Sequence, residues 1–246
     1  MLIPDEGYYF GIGAFETIAV ENGTPVFLEQ HCDRLQRAMD FFAIKTPMQR
    51  IMQQVEQTLE EPDLRQGRKV LKITVSPENL LVTSRKNTYR REDYERGFTA
   101  EFSEVRRNET SPLTYHKTLN YGDCILEKRR AKSRGIDEPV FMNLKGEIAE
   151  GACTNVFFVK KGRVVTPSVA SGLLPGILRS YICNICGAEE RTVLPEEIQE
   201  CEEMFLTNSL MGVMPVTAFG AYRFPSRDKS RELLAQYWRL CGGAAE

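Results

Sequence analysis

The stretch Gly146-Glu147-Ile148-Ala149-Glu150-Gly151-Ala152-Cys153-Thr154-Asn155-Val156-Phe157-Phe158-Val159 reads as a strand, a short connection and a second strand. Val156 to Val159 is an apolar run of strand length, rich in β-branched and aromatic residues, which a buried strand favours. Glu150 stands just ahead of that run, beside Gly151. A carboxylate placed where the chain enters a core is costly unless a cation or a hydrogen-bond donor partners it. The spacing therefore asks what Glu150 faces.

Composition narrows the answer. The chain has 246 residues, long enough for one large domain or two small ones. Apolar residues make up 42% and charged residues 27%, with a net charge of −2, so no basic excess argues for a nucleic-acid or membrane surface. The cluster Arg85, Lys86, Arg90, Arg91 is local and is followed by Glu92 and Asp93. Seven scattered cysteines, an odd number, argue for reduced thiols in a cytosol. Cys183 and Cys186 form a lone CxxC inside a helical pattern, and helix-face packing is the expected role. With only two histidines, His31 and His116, a histidine-rich metal site is excluded, and no metal is expected. Met1 to Glu6 shows neither the basic nor the apolar region of a secretory leader. The uncharged stretch from Met204 onward holds Asn208, Ser209, Gly212 and Pro215, and reads as buried strands and loops rather than a membrane span.

Along the chain, Phe15 to Val20 is β-rich and is followed by Asn22-Gly23 and Pro25-Val26-Phe27, a hairpin signal. Leu28, Cys32, Leu35, Met39 and Phe42 share one helical face, and a second helix is expected from about Met48 to Glu60. Val70 to Ser76 alternates as a half-buried strand, and Phe98 to Phe102 is another candidate. Between Val105 and Tyr115 the periodicity stops, which marks a domain boundary. Beyond it a helix is expected from Leu119 to Ser133, with Gly135 as its cap. Strands are expected at Pro139 to Asn143, Ile148 to Glu150, Thr154 to Lys160, Val164 to Thr166, Glu203 to Thr207 and Val213 to Thr217. Helices are expected from Gly176 to Ile185 and from Ser230 to Leu240. The second half is thus β-rich, with a closed, barrel-like sheet as the expectation.

Several segments could carry chemistry. Gly11-Ile12-Gly13 lacks the third glycine of a dinucleotide fingerprint and precedes a strand, so close backbone packing is the expected role. In Leu173-Leu174-Pro175-Gly176-Ile177-Leu178-Arg179, a helix begins after Pro and Gly, and its first backbone N–H groups could hold a phosphate; an ordinary helix start is the alternative. Thr207-Asn208-Ser209 offers hydroxyls after a strand. Lys117 lies between the boundary and a helix, where a desolvated lysine could form a Schiff base, although a solvated lysine is the plainer reading of that residue alone.

Taken together, Gly11 to Thr17, Glu29-Gln30-His31-Cys32-Asp33-Arg34-Leu35, Lys117-Thr118-Leu119-Asn120, Glu150 followed by Thr154-Asn155-Val156-Phe157, Leu174 to Arg179 and Thr207-Asn208-Ser209 resemble the class IV aminotransferases in order and spacing. These are the fold-type IV pyridoxal-phosphate enzymes, among them branched-chain and D-amino-acid aminotransferases and aminodeoxychorismate lyases. The resemblance implies an α/β chain of the α+β type in two domains. A smaller N-terminal α/β domain would span residues 1–108, a linker 109–116 and a β-rich pseudo-barrel domain 117–246. It implies pyridoxal 5′-phosphate, with Lys117 as its covalent attachment point and proton carrier. Glu150 would pair with the ring nitrogen. Arg34, the backbone of Ile177 and Leu178, and Ser209 would hold the phosphate, and Tyr121 would lie near the ring hydroxyl, at a spacing one residue shorter than the family's. Phe15 would line the substrate pocket; plain core packing is the alternative. Family members also carry an extra strand and turn ahead of the Gly-x-Gly segment.

A cytoplasmic homodimer acting on a small amino-acid-like substrate, without nucleic acid or membrane, is implied. Thr207 to Val216, Phe10 to Thr17 and Ala149-Glu150-Gly151 look most like aminodeoxychorismate lyases, which convert 4-amino-4-deoxychorismate to 4-aminobenzoate and pyruvate. A dicarboxylate substrate would want a cation, for which Arg85 is a candidate, with a solvated loop as the alternative. The other expectations are a branched-chain or D-amino-acid aminotransferase using 2-oxoglutarate and, in a different class, a non-catalytic binding protein that keeps the fold.

Overall fold

The structure is a computed structural model that describes residues 2–242. Its backbone contacts divide into two compact units, Met1–Thr88 with His116–Tyr121, and Tyr89–Tyr115 with Gly122–Glu246.

The first unit is built on a four-stranded antiparallel sheet of β1 (Ala14–Glu21), β2 (Thr24–Pro25), β3 (Arg68–Val75) and β4 (Leu80–Lys86), in the order β2-β1-β3-β4. The Asn22-Gly23 hairpin forms as expected, and both residues have positive φ, 49° and 86°, the backbone a two-residue turn between twisted strands demands. The α-helices of this unit among the described residues are α1 (Glu6–Phe10), α2 (Leu28–Phe41) and α3 (Met48–Leu59). Leu35, Ala38 and Met39 of α2 and Ile51 and Val55 of α3 join Ile18, Val20, Leu71 and Ile73 of the sheet in one apolar core. The period of two along β1 sends Ala14, Glu16, Ile18 and Val20 to one face, all fully buried. Phe15 and Thr17 take the other face.

Two elements here have no clear sequence signal. Strand β4 lies at the sheet edge and ends in Arg85 and Lys86, the charges with which edge strands resist pairing; those charges hide its period. Helix α1 is a single capped turn, with the Asp5 carboxylate accepting from the Tyr8 N–H at 3.1 Å and Gly11 closing it at φ 71°. Gly11 and Gly13 pack against chain as expected: a Cβ on Gly13 would sit 2.7 Å from the Val75 carbonyl oxygen.

The second unit carries β5 (Phe98–Arg107), β6 (Glu138–Asn143), β7 (Ile148–Gly151), β8 (Asn155–Lys160), β9 (Arg163–Pro167), β10 (Glu189–Arg191), β11 (Glu203–Asn208), β12 (Gly212–Phe219) and β13 (Tyr222–Arg223). The described strands run in the order β10-β9-β8-β11-β12-β5-β6-β7, with β13 paired to β12. Strand β7, at one end of that order, also packs on β8 and β9, so the sheet curls on itself, as the barrel-like expectation requires. Its helices are α4 (Arg91–Arg96), α5 (Gly122–Ser133), α6 (Ile177–Cys186) and α7 (Asp228–Leu240). No helix among the described residues is long and apolar enough to cross a membrane. Burial pushes the Cys183 thiol of α6 up to about 11, which suits a packing residue.

The boundaries differ from the expected division at 108 and 117. Strand β5, expected in the first domain, pairs with β6 and β12 in the second unit, and residues 109–115 go with it. Conversely, His116–Tyr121 belongs to the first unit. The Phe15 N–H donates to the Lys117 carbonyl at 3.0 Å, the Leu119 N–H donates to Gly13 at 2.9 Å, and Thr118 bridges Ala14. Those bonds hold residues 117–119 against the start of β1, and so α5 begins at Gly122 rather than Leu119.

Phe157 and Phe205 stack at 4.9 Å between β8 and β11, both fully buried. Phe205→Ala is expected to lower the unfolding free energy by about 3–5 kcal/mol in urea denaturation followed by circular dichroism, and a loss below about 1 kcal/mol would contradict this packing.

Candidate active site

In the first unit, strand β1 presents chemistry on both of its faces. On the outer face, the Lys117 Nζ lies 4.5 Å from the centre of the Phe15 ring and 5.0 Å from that of Tyr121. The two rings meet edge to face at 5.2 Å. Phe15, Lys117 and Tyr121, three of the expected site residues, are therefore gathered by the pairing of residues 117–119 with the start of β1.

On the inner face, Glu16 is fully buried and Arg34 is 6% exposed. The guanidinium donates from Nε to Oε1 and from NH2 to Oε2, both at 2.7 Å, a two-pronged fit to the carboxylate. His31, one helical turn before Arg34 on α2, meets Oε2 through Nδ1 at 2.6 Å. Burial pushes the Glu16 carboxyl up, but the Arg34 charge and the hydrogen bonds outweigh it and hold the group well below the usual carboxylate range. Burial, set against the raising influence of Glu16, lowers the pKa of His31. With Glu16 ionised, the proton of the neutral ring sits on Nδ1. Arg34, expected at a phosphate, is thus anchored by two residues whose part the sequence did not reveal. Arg85 is exposed on the edge strand β4 and donates to the Lys86 carbonyl at 3.0 Å.

In the second unit, Glu150 on β7 is 4% exposed. Its Oε1 accepts from Arg107 NH2 at 2.5 Å and its Oε2 from the Leu174 N–H at 3.1 Å. Leu174 leads through Pro175 and Gly176 into α6, so Glu150 is tied to the helix start that carries Ile177 and Leu178. No side chain caps Gly176, the N-cap of α6. Asn155 supports that turn: its Nδ2 donates to the Leu174 carbonyl at 3.0 Å, and a Cβ on Gly176 would fall 2.0 Å from its Oδ1. Ser209 stands in the turn from β11 to β12. Its neighbour Asn208 accepts the Leu210 and Met211 N–H groups at 2.9 Å through Oδ1, and its Nδ2 donates to the Cys153 carbonyl at 3.3 Å. The hydroxyl of Thr207, 1% exposed, has no hydrogen-bond partner.

Below the Glu150 loop, Glu138 is fully buried and pairs with Lys128. Its Oε1 accepts from the Cys153 N–H at 3.1 Å and the Thr154 hydroxyl at 2.9 Å. Gly151 is required beside it, because a Cβ there would lie 2.1 Å from Thr154 Oγ1. This second unit therefore joins Glu150, the open α6 start and the Ser209 turn into one hydrogen-bonded region. An uncapped helix start and a buried unpartnered hydroxyl fit a phosphate. A buried carboxylate with a cation behind it fits a protonated ring nitrogen. Among the described residues no His, Cys, Asp and Glu cluster could hold a metal.

Comparison with known proteins bears on family and fold. The amino-transferase class IV family model matches residues 13–219. A Thermotoga maritima protein named a probable branched-chain-amino-acid aminotransferase is 30% identical, over 85% of this chain and 78% of its own length. The aminodeoxychorismate lyase of Bacillus subtilis is 25% identical, over 91% of this chain and 83% of its own. The crystal structure of the 4-amino-4-deoxychorismate lyase from Pseudomonas aeruginosa superposes with a TM-score of 0.84 at 24% identity, covering 97% of this chain and 94% of that one.

The buried cluster makes the fold acid-sensitive. His31 has a depressed pKa in the native state, so the unfolded chain takes up its proton first, and the stability it contributes is lost as pH falls below the ordinary value of 6.5. Glu16, depressed from 4.5, adds its own loss below that value. Unfolding free energy measured from pH 7.5 down to pH 5 is expected to fall, and His31→Gln is expected to reduce that slope; an unchanged slope would exclude His31 as its source.

Proposed function

The chain belongs to the class IV aminotransferase family, whose members are transaminases or lyases, and from that membership we propose that it binds pyridoxal 5′-phosphate and acts on an amino-acid-like substrate. The single observation that carries the proposal is the joined region of the second unit. It offers a buried, cation-backed Glu150 beside a helix start whose N-cap lacks a side-chain partner.

In this reading Lys117 attaches the cofactor covalently and afterwards moves the proton at the substrate Cα. Its seat over Phe15 and Tyr121 surrounds the Nζ with ring faces, which favours a compact, oriented amine over a solvated one. Glu150 pairs with the ring nitrogen. Arg34, Ile177, Leu178 and Ser209 hold the phosphate, with Glu16 and His31 fixing the Arg34 fork in place. Tyr121 orients the ring hydroxyl, and Phe15 borders the substrate. When bound, the cofactor supplies an electron sink that stabilises the carbanion left by Cα deprotonation. A cytosolic homodimer is part of the same reading, as is Arg85 as a cation for a substrate carboxylate.

Within the family, the lyase reading leads: 4-amino-4-deoxychorismate is converted to 4-aminobenzoate and pyruvate. The motifs around Phe10–Thr17 and Thr207–Val216 support it, as does the Bacillus subtilis relative. Transamination of a branched-chain amino acid with 2-oxoglutarate is the second reading, favoured by the Thermotoga maritima relative.

The purified protein is expected to be yellow or to become so with pyridoxal 5′-phosphate, and borohydride is expected to fix the cofactor to the parent but not to Lys117→Ala. A colourless parent that takes up no cofactor refutes the reading. Supplied with aminodeoxychorismate, the enzyme is expected to release 4-aminobenzoate without glutamate; glutamate formation from an amino-acid panel with 2-oxoglutarate, and no aminobenzoate, selects the transaminase. Glu150→Gln is expected to lower turnover roughly a hundredfold or more while the cofactor stays bound, and undiminished turnover would remove Glu150 from the mechanism.

A further inference from the structure

Arg107 is the last residue of β5, and Glu150 lies on β7. Between them runs β6, whose Phe141 is the direct cross-strand partner of Glu150. The Arg107 guanidinium crosses that strand 5.2 Å above the Phe141 ring and reaches Glu150 Oε1 at 2.5 Å. From the other side, the Leu174 N–H holds Oε2 at 3.1 Å. The carboxylate is therefore gripped at both oxygens, one by a permanent cation and one by backbone. Its side chain is 5% exposed and that of Arg107 is 17%. Screening by water is weak there, and the loss of either partner would be felt by the other.

Such a grip has two consequences. It holds the carboxylate in one orientation, and it favours the ionised form that burial alone would disfavour. Arginine suits the place better than lysine, because its planar fork stays protonated and can lie on a ring face while donating at its edge.

We propose that Arg107 is a positioning residue that acts through Glu150: it keeps that carboxylate ionised and aimed, and thereby sets how tightly the cofactor's ring nitrogen and its proton are held. The proposal rests on the cofactor reading above.

The test uses apo protein titrated with pyridoxal 5′-phosphate, followed by fluorescence quenching between about pH 6 and pH 9, for the parent, Arg107→Met, Arg107→Lys, Glu150→Gln and the Arg107→Met/Glu150→Gln double variant. Arg107→Met is expected to weaken binding at neutral pH by about tenfold and to regain affinity as pH rises, because burial disfavours the carboxylate anion once its cation is removed and a higher pH restores it. In the Glu150→Gln background the same substitution is expected to change affinity by less than about twofold, because the group it acts through is gone. An equal loss in both backgrounds makes Arg107 a structural residue only and overturns the proposal, as does an affinity and pH profile identical to the parent's. Arg107→Lys keeps the cation and is expected to keep the pH profile flat at reduced affinity, so a sloping profile in that variant overturns the proposal even if Arg107→Met proves insoluble. A parent that binds the cofactor while the variants fail to separate refutes Arg107 alone; a parent that binds none refutes the cofactor reading and this inference with it.

Discussion

A buried carboxylate must be partnered, and the structure on either side of Glu150 is arranged to partner it. With 4% of its surface exposed, Glu150 cannot rely on water. Arg107 reaches it across a strand, and the Leu174 N–H meets it from the segment that opens α6. Meeting those demands places three separate pieces of the second unit in register: the end of β5, strand β7 and the start of α6. Glu138 repeats the device one layer away, where Lys128 neutralises its charge and the Cys153 N–H and Thr154 hydroxyl fill its other oxygen. The loop between β7 and β8 is held from both ends by carboxylate chemistry, which is why Gly151 has no room for a side chain.

The first unit meets the same constraint with different residues. Glu16 shares a strand face with Ala14, Ile18 and Val20, a place the alternation of β1 assigns to the core. Its charge survives there because helix α2 lays His31 and Arg34 against it, three residues apart and so on one helical face. The other face of the same strand carries Phe15 toward Lys117. One strand thus supports both an ion pair that orients a guanidinium and an aromatic seat that orients an amine. Removing either partner of such a pair leaves an uncompensated charge in a dry place, which costs far more than the net worth of the pair itself.

Much of this architecture was legible in local pattern. The Asn22-Gly23 hairpin, the helices at α2, α3, α6 and α7 and the strands β6 to β9, β11 and β12 follow from periodicity and turn chemistry, all carried by residues close in the chain. Strand β4 was not legible, because edge charges at Arg85 and Lys86 obscure its alternation. The true start of α5 was hidden as well. Leu119 looks helical in sequence, but backbone bonds to Gly13 and Phe15 and the bridge from Thr118 to Ala14 hold this segment against β1, more than ninety positions from its partners.

The candidate site divides along the same line. Sequence alone determined which residue types are present and at what spacing: Lys117, Glu150, Arg34, the Gly176 helix start and Ser209 stand in the order of the class IV aminotransferases, and composition excluded a basic nucleic-acid surface. Only the tertiary structure decided who partners whom. Arg107 falls in a polar stretch that sequence reads as a domain boundary, yet it sits 43 positions from the carboxylate it holds. His31 and Glu16 show no charge pattern at all until β1 and α2 are packed together. The physical reason is one of range. Backbone preference and hydrophobic period act over a few residues, whereas the partner of a buried charge is set by strand register and packing between elements distant in the chain.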